Sequence, residues 1–323
     1  MRLAAKSAKA QWVLTQLTQL QHYFAQQLSN VARQAQQPTQ FVPVEWLRDE
    51  GKHGGGERLQ ASEGGLFNRA SVNVSQIQYE QNPDKAFASA TALSTIIHPV
   101  HPLSPSIHIH ISWTELKSGK KYWRIMADLN PAIEDKADTN KFSQVLEQAS
   151  GVYFAVGSEQ GDEYFNIPAL KRHRGVSHFY LEGFEEQPDT PENYAIDFGK
   201  QVIDCYIEIL TGKSIEQPTI TAEQQRQQLD YHTLYFYQVL TLDKGTTAGL
   251  LIHNQNDVGT LGSLPSHINL SLLKRWAAAS DAKLNDLLLR LIAVFPEADV
   301  GEVTGERKAE IAIALREHYK AFA

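Results

Sequence analysis

The sequence predicts an α+β protein in which an extended sheet is covered by helices. Three observations predict it. Apolar residues recur at helical spacing near both ends of the 323-residue chain, apolar and polar residues alternate through its middle, and strand follows strand there without strict β–α alternation. With 42% hydrophobic and 21% charged residues, the chain is a folded one, long enough to bury a large core.

The elements are taken in order. Val13, Leu17, Leu20, Phe24, Leu28 and Val31 stand at steps of three and four, which predicts an N-terminal helix over residues 8–35 with a Gln-rich outer face. Asp49 to Gly65 is rich in glycine and charge and is expected to be loop. FNRASVNVSQIQ, ending at Gln78, and SIHIHISW, Ser106 to Trp113, alternate as half-buried strands do. In the second, Ile107, Ile109, Ile111 and Trp113 point one way, and Ser106, His108, His110 and Ser112 the other. Further strands are expected at Tyr122–Leu129, His178–Glu182, Leu234–Leu242 and Gly249–His253. Between them Ile196, Ile203, Tyr206, Ile207 and Leu210 keep helical intervals, and Gly212 suits the end of that helix. The C-terminal part, residues 266–322, is expected to be helical, from the stripes Leu284, Leu287, Leu288, Leu291, Ile292 and Ile311, Leu315, Tyr319. With no internal repeat and no low-complexity linker, residues 1–323 read as one continuous domain.

Thirty basic against thirty-seven acidic residues give a net charge of -7, so no global positive field exists to hold nucleic acid. No apolar run is long enough to span a bilayer, and the N-terminus lacks the apolar core and cleavage site of a secretory signal. The single cysteine, Cys205, excludes an intramolecular disulfide and a CxxC site, which suits a reducing cytoplasm. Walker, GxGxxG, GxSxG, HExxH and EF-hand patterns are all missing. What stands out is His98, His101, His108 and His110 within thirteen residues. The last two share one strand face, where they serve either as ligands of a divalent metal, as proton donors, or as a hydrogen-bonded polar surface.

The segment GGGERLQASEGGLFNRASVNVS, Gly54 to Ser75, resembles the glycine-rich opening of oxygen-dependent coproporphyrinogen III oxidases, with their pattern EGG..F..A.VN.S. LSTIIHPVHPLSPSIHIHIS resembles S.VIHP.NP..PT.H.N.R, with Ser94, His98, Pro99, Pro102, Pro105, Ser106 and His108 in step. ADLNP, DEYFNIP, RGVSHFYLEGF, LDKGTTAGL and GSLPSHINLSLLKRW follow in family order, resembling DLTP, DEYFYLP, RGIGGIFFDDL, YDRGT.FGL and MSLP....RW. The resemblance runs from about Gly51 to Trp276. It implies a large, flat antiparallel sheet sandwiched between helices, a homodimer, and an oxidase that requires no cofactor and uses O2 to convert two propionates of coproporphyrinogen III to vinyl groups in haem biosynthesis.

The resemblance also implies roles. Asp128 stands at the position that accepts from the pyrrole N–H groups; judged by sequence alone it reads equally well as a turn cap before Pro131. His108 matches the proposed proton donor, Ser94 and His98 match positions near substrate or a proposed metal, and Arg174 matches an arginine for a propionate. His98 and His108 are thus the candidate metal ligands and His108 and Asp128 the candidate catalytic pair. The departures are equally specific. Arginines expected in the family pattern are Ser112, Leu170 and Asn256 here, WWFGGG becomes YWRIM, and His101 and His110 replace Asn. Each lost charge-assisted contact costs about 1.5–3 kcal/mol of binding unless replaced. Three functions remain open on these residues: the oxidase, a protein that binds a tetrapyrrole or another anionic ligand without turnover, and a His-based metal enzyme.

Overall fold

The computed structural model describes residues 2–61, 64–215, 218–252 and 254–322. They form two compact units, Met1–Phe165 with Gly175–Pro218, and Asn166–Arg174 with Thr219–Ala323. In chain order the elements up to the first small strands are α1 (Ala8–Gln34), β1 (Phe41–Leu47), β2 (Gly54–Ala61), β3 (Phe67–Gln78), β4 (Phe87–Pro99), β5 (Ser106–Leu116), β6 (Lys121–Asn130), α2 (Lys136–Ser150) and α3 (Phe154–Phe165). Then come β7 (Asn166–Ile167), β8 (Arg172–His173), β9 (Ser177–Phe184), α4 (Tyr194–Ile215), α5 (Ala222–Thr241), α6 (Lys244–Ile252) and α7 (Asp257–Thr260). The chain closes with β10 (His267–Asn269), α8 (Leu270–Ala278), α9 (Ala282–Ala293), β11 (Val300–Glu302) and α10 (Gly305–Ala321).

The first unit is built on a seven-stranded sheet in the order β1-β2-β3-β4-β5-β6-β9, antiparallel at every step. The fold class is therefore α+β. Alternation decides which side of the sheet is apolar. Val72, Leu93, Ile107, Ile109, Ile111, Ile125, Ala127 and Phe179 all join one core with Val13, Leu17, Phe24 and Leu28 of α1 and Phe198, Val202 and Tyr206 of α4. Each of these larger side chains contributes about 1.5–3 kcal/mol on burial. The contact is close: a Cβ at Gly199 of α4 would lie 2.4 Å from Ile111 Cδ1 and 3.0 Å from Leu20 Cδ2. The Ser7 side chain caps α1, and Gln76 of β3 fastens it to the sheet by donating to Ala10 O and accepting from Ala5 N–H.

β9 is an edge strand, and α3 covers it. Gln160 Oε1 accepts from the Glu182 N–H at 2.9 Å, which occupies a backbone donor that an open edge would leave exposed.

Two segments expected as strands are helical, and one expected loop is a strand. Leu234–Leu242 lies mostly in α5, where residues 231–240 are all buried. Burial on every side erases the helical period, leaving aromatic and β-branched residues that read as a strand. The helix is set instead by a capping box in which Thr221 and Gln224 exchange side-chain and backbone hydrogen bonds. Gly249–Ile252 lies in α6, whose start is fixed by Asp243 accepting from the Thr246 N–H; His253 lies outside the described residues. The glycine triplet belongs to β2 because the neighbouring strands leave no room for a side chain: a Cβ on Gly54 would sit 2.1 Å from Gln76 O, and one on Gly56 2.6 Å from Val74 O. Gly212 does not end α4, which runs on to Ile215. Within residues 266–322, α8, α9 and α10 are accompanied by a short β10–β11 ladder.

Candidate active site on the polar face of the sheet

The register of β4, β5, β6 and β9 assembles the second face of the sheet. His108 pairs with Asp128 and, on its other side, with Ile96; Asp128 pairs in turn with His178. Residues directly opposite share a face, with Cβ atoms about 4.5–5.5 Å apart. The row His108–Asp128–His178 therefore crosses three strands on the side away from the α1–α4 core. One step along, Ser94, His110, Met126 and Tyr180 form the next row, followed by Ser112, opposite Arg124.

Although polar, this face is largely shut off from water. His98, Asp128 and Asn130 are 0% exposed and His108 is 9% exposed. Ionisable groups so placed need partners or a ligand. His98 Nδ1 and Ser106 Oγ lie 2.9 Å apart, and His110 Nε2 and Ser112 Oγ 3.0 Å apart. Burial and the neighbouring Arg124 guanidinium push the His110 imidazole down to about 3, so it is neutral near pH 7. His178 behaves in the opposite way. Burial disfavours its charged form, but Asp128 and Asp162 outweigh burial and raise its pKa. His178 Nε2 is 2.8 Å from Asp162 Oδ1, and its Nδ1 is 3.7 Å from Asp128 Oδ1, an ion-pair distance.

Arg124 pairs across β5 and β6 with Ser112, one of the positions where the family pattern has arginine. Its guanidinium is already engaged: Nε and Nη2 donate to the two Glu182 oxygens at 2.7 and 2.9 Å, and Tyr180 also donates to Glu182. That bidentate pair, with the Tyr164 ring stacked on Tyr180 at 4.1 Å, forms one end of the polar face.

Of the residues singled out by sequence, Ser94, His98, His108 and Asp128 are carried by this face. Arg174 belongs to the second unit, where it is buried with its guanidinium 5.2 Å from the centre of the Tyr235 ring. Among the described residues, no group of three or more closely spaced His, Cys, Asp or Glu ligand atoms includes His98 or His108. Cys205 is buried in α4, and burial pushes its thiol up to about 11, which leaves it no thiolate character near neutrality. Sequence reasoning overlooked His178, Asp162 and the Arg124–Glu182 pair. The available signal was that His178 stands where the motif RGIGGIFFDDL has glycine.

Residues 13–291 match the family described as coproporphyrinogen III oxidase. The chain belongs to that family. Among curated relatives, the oxygen-dependent coproporphyrinogen-III oxidase of Rickettsia akari is 30% identical over 253 residues, covering 72% of this chain and 86% of its own. The enzyme of the same name from Rickettsia bellii is 30% identical over 260 residues, covering 74% and 86%. Among solved structures, selenomethionine-labelled phytochromobilin synthase from tomato in complex with biliverdin is 12% identical, covers 92% of this chain and 84% of its own, and gives a TM-score of 0.46. Among the described residues, no helix is long and apolar enough to cross a membrane.

Proposed function

We propose that this protein catalyses the oxygen-dependent oxidative decarboxylation of coproporphyrinogen III to protoporphyrinogen IX in haem biosynthesis. The observation that carries the reading is the buried pairing of His108 with Asp128 across β5 and β6. The carboxylate is suited to accept from pyrrole N–H groups and to steady positive charge developing on the ring, while the imidazole beside it moves a proton. Each propionate side chain gives up CO2, a proton and two electrons to become a vinyl group. Two such side chains, with two further protons from solvent, reduce one O2 to two waters, so the balance needs no further oxidant. Ser94 and Arg174 are assigned to substrate contact by their motif positions. A cytoplasmic homodimer is the assembly that the family resemblance supports.

A specific observation favours a second reading. Directly across the strand pair from the vacated arginine position at Ser112 is Arg124, and Glu182 already holds its guanidinium. A face with that grip neutralised suits a ligand with fewer or differently placed carboxylates, bound without turnover. Incubation of the purified protein with freshly reduced coproporphyrinogen III, with and without O2, followed by chromatography of the oxidised porphyrins, separates the two. The oxidase reading requires an O2-dependent divinyl product. Binding without product overturns it.

A further inference from the structure

His178 is foreign to the motif it sits in, yet its surroundings are fitted to it. On one side of the ring is Asp128. Room for that carboxylate exists because residue 175 is glycine: a Cβ there would lie 2.0 Å from Asp128 Oδ1. On the other side is α3, which presents three accommodations within residues 161–165. A Cβ on Gly161 would come within 2.9 Å of His178 Cδ2, Asp162 Oδ1 takes the Nε2 at 2.8 Å, and the Phe165 ring lies 5.2 Å from the imidazole, centre to centre. Asp162 is well exposed, with 65% of its side chain accessible, whereas the His178 side chain is 8% accessible and Asp128 is at 0%. A carboxylate at the surface is thus joined through one imidazole to a carboxylate that water does not reach.

We propose that His178 is a positioning residue for Asp128: anchored by Asp162 and seated against α3, it fixes the Asp128 carboxylate on the polar face and links it to the surface. Within its own unit the charged groups that face the ring are Asp128 from β6 and Asp162 from α3. The arrangement replaces what a glycine leaves open. With glycine at 178, the imidazole that lies between Asp128 and Asp162 of α3 would be lost. The inference deepens the oxidase reading, since it assigns a partner to the carboxylate which that reading places beneath the pyrroles.

The test has two arms. In the first, with no substrate present, the side-chain nitrogen resonances of His178 are recorded at neutral pH in the native protein and in Asp128→Asn and Asp162→Asn. The expected result is that the native ring carries more of the protonated form than the ring of either variant does. A His178 signal unchanged by Asp128→Asn overturns the link. In the second arm, turnover of coproporphyrinogen III is measured for native protein, Asp128→Ala, His178→Gly and His178→Asn. The amide of Asn places a donor near the position of Nδ1. His178→Gly is expected to lower kcat at least about tenfold with KM within about twofold, and His178→Asn to recover a substantial part of the loss. Full activity in His178→Gly while Asp128→Ala is inactive makes His178 a space-filler, which defeats the inference and leaves the oxidase reading intact. Full activity in Asp128→Ala defeats the oxidase role of that carboxylate instead, and the first arm alone then decides the link.

Discussion

On β5 the same short run of backbone serves two environments with opposite demands. Ile107, Ile109 and Ile111 enter the core beneath α1 and α4, while His108 and His110 turn to the face that carries Asp128 and His178. The apolar side gains stability from every methylene it hides. The polar side loses water around ionisable groups and recovers only what their mutual pairing provides. A sheet that placed its histidines and carboxylates by stability alone would leave them at the surface. Their burial here is what makes this face the candidate site.

The comparison breaks most sharply if each side is damaged alone. His108→Ala should lower turnover about 10²–10⁴-fold, the usual worth of a general acid–base group, with the protein still folded at the assay temperature. Steady-state kinetics beside calorimetry read both quantities, and undiminished turnover removes His108 from the mechanism. Ile109→Ala should do the reverse. Losing a fully buried β5 side chain costs about 2–5 kcal/mol in denaturant titration, with kcat per folded molecule retained. A cost below about 1 kcal/mol would show that the core collapses freely around β5.

The two faces also differ in how far the sequence revealed them. Alternation over SIHIHISW separates the isoleucines from the histidines without any structure, because it is a property of one strand. The meeting of His108 with Asp128 depends on the register between β5 and β6, and that of Asp128 with His178 on a partner some fifty positions away in the chain. Neither is a local property, so motif resemblance alone drew attention to Asp128 and nothing in the strand pattern drew attention to Asp162. The second unit shows the converse failure: α5 has no exposed side over residues 231–240, and a helix without an exposed side carries no period to read.

The end of the polar face near Arg124 offers a finer probe. Glu182→Gln removes the charge that neutralises Arg124 while keeping the side chain's size. If a carboxylate-bearing ligand reaches this end, its affinity should improve about tenfold, near the lower value of a charged hydrogen bond. Coproporphyrin III serves as the probe, with fluorescence titration as the measurement. An unchanged dissociation constant would place the ligand's carboxylates away from the β5–β6–β9 corner and so narrow the second reading.

The smallest expected effect separates two histidines of the same face by the sign of their pH dependence. His110 has its folded value pushed down to about 3 from an ordinary 6.5, so between those values the unfolded chain binds the extra proton and stability falls as the solution is acidified. His178 has its folded value raised above 6.5, so its contribution is fully present below 6.5 and is lost as pH rises through the raised value. A single proton limits either slope to about 1.4 kcal/mol per pH unit. Subtracting the stability profile of His110→Gln from that of the native protein should therefore leave a loss on the acid side of 6.5, and subtracting that of His178→Gly a loss on the alkaline side. Two difference profiles of the same sign would mean that Asp128 and Asp162 do not raise the His178 pKa, and the polar face would then be uniformly desolvated instead of divided between a histidine shifted down beside Arg124 and one shifted up beside two carboxylates.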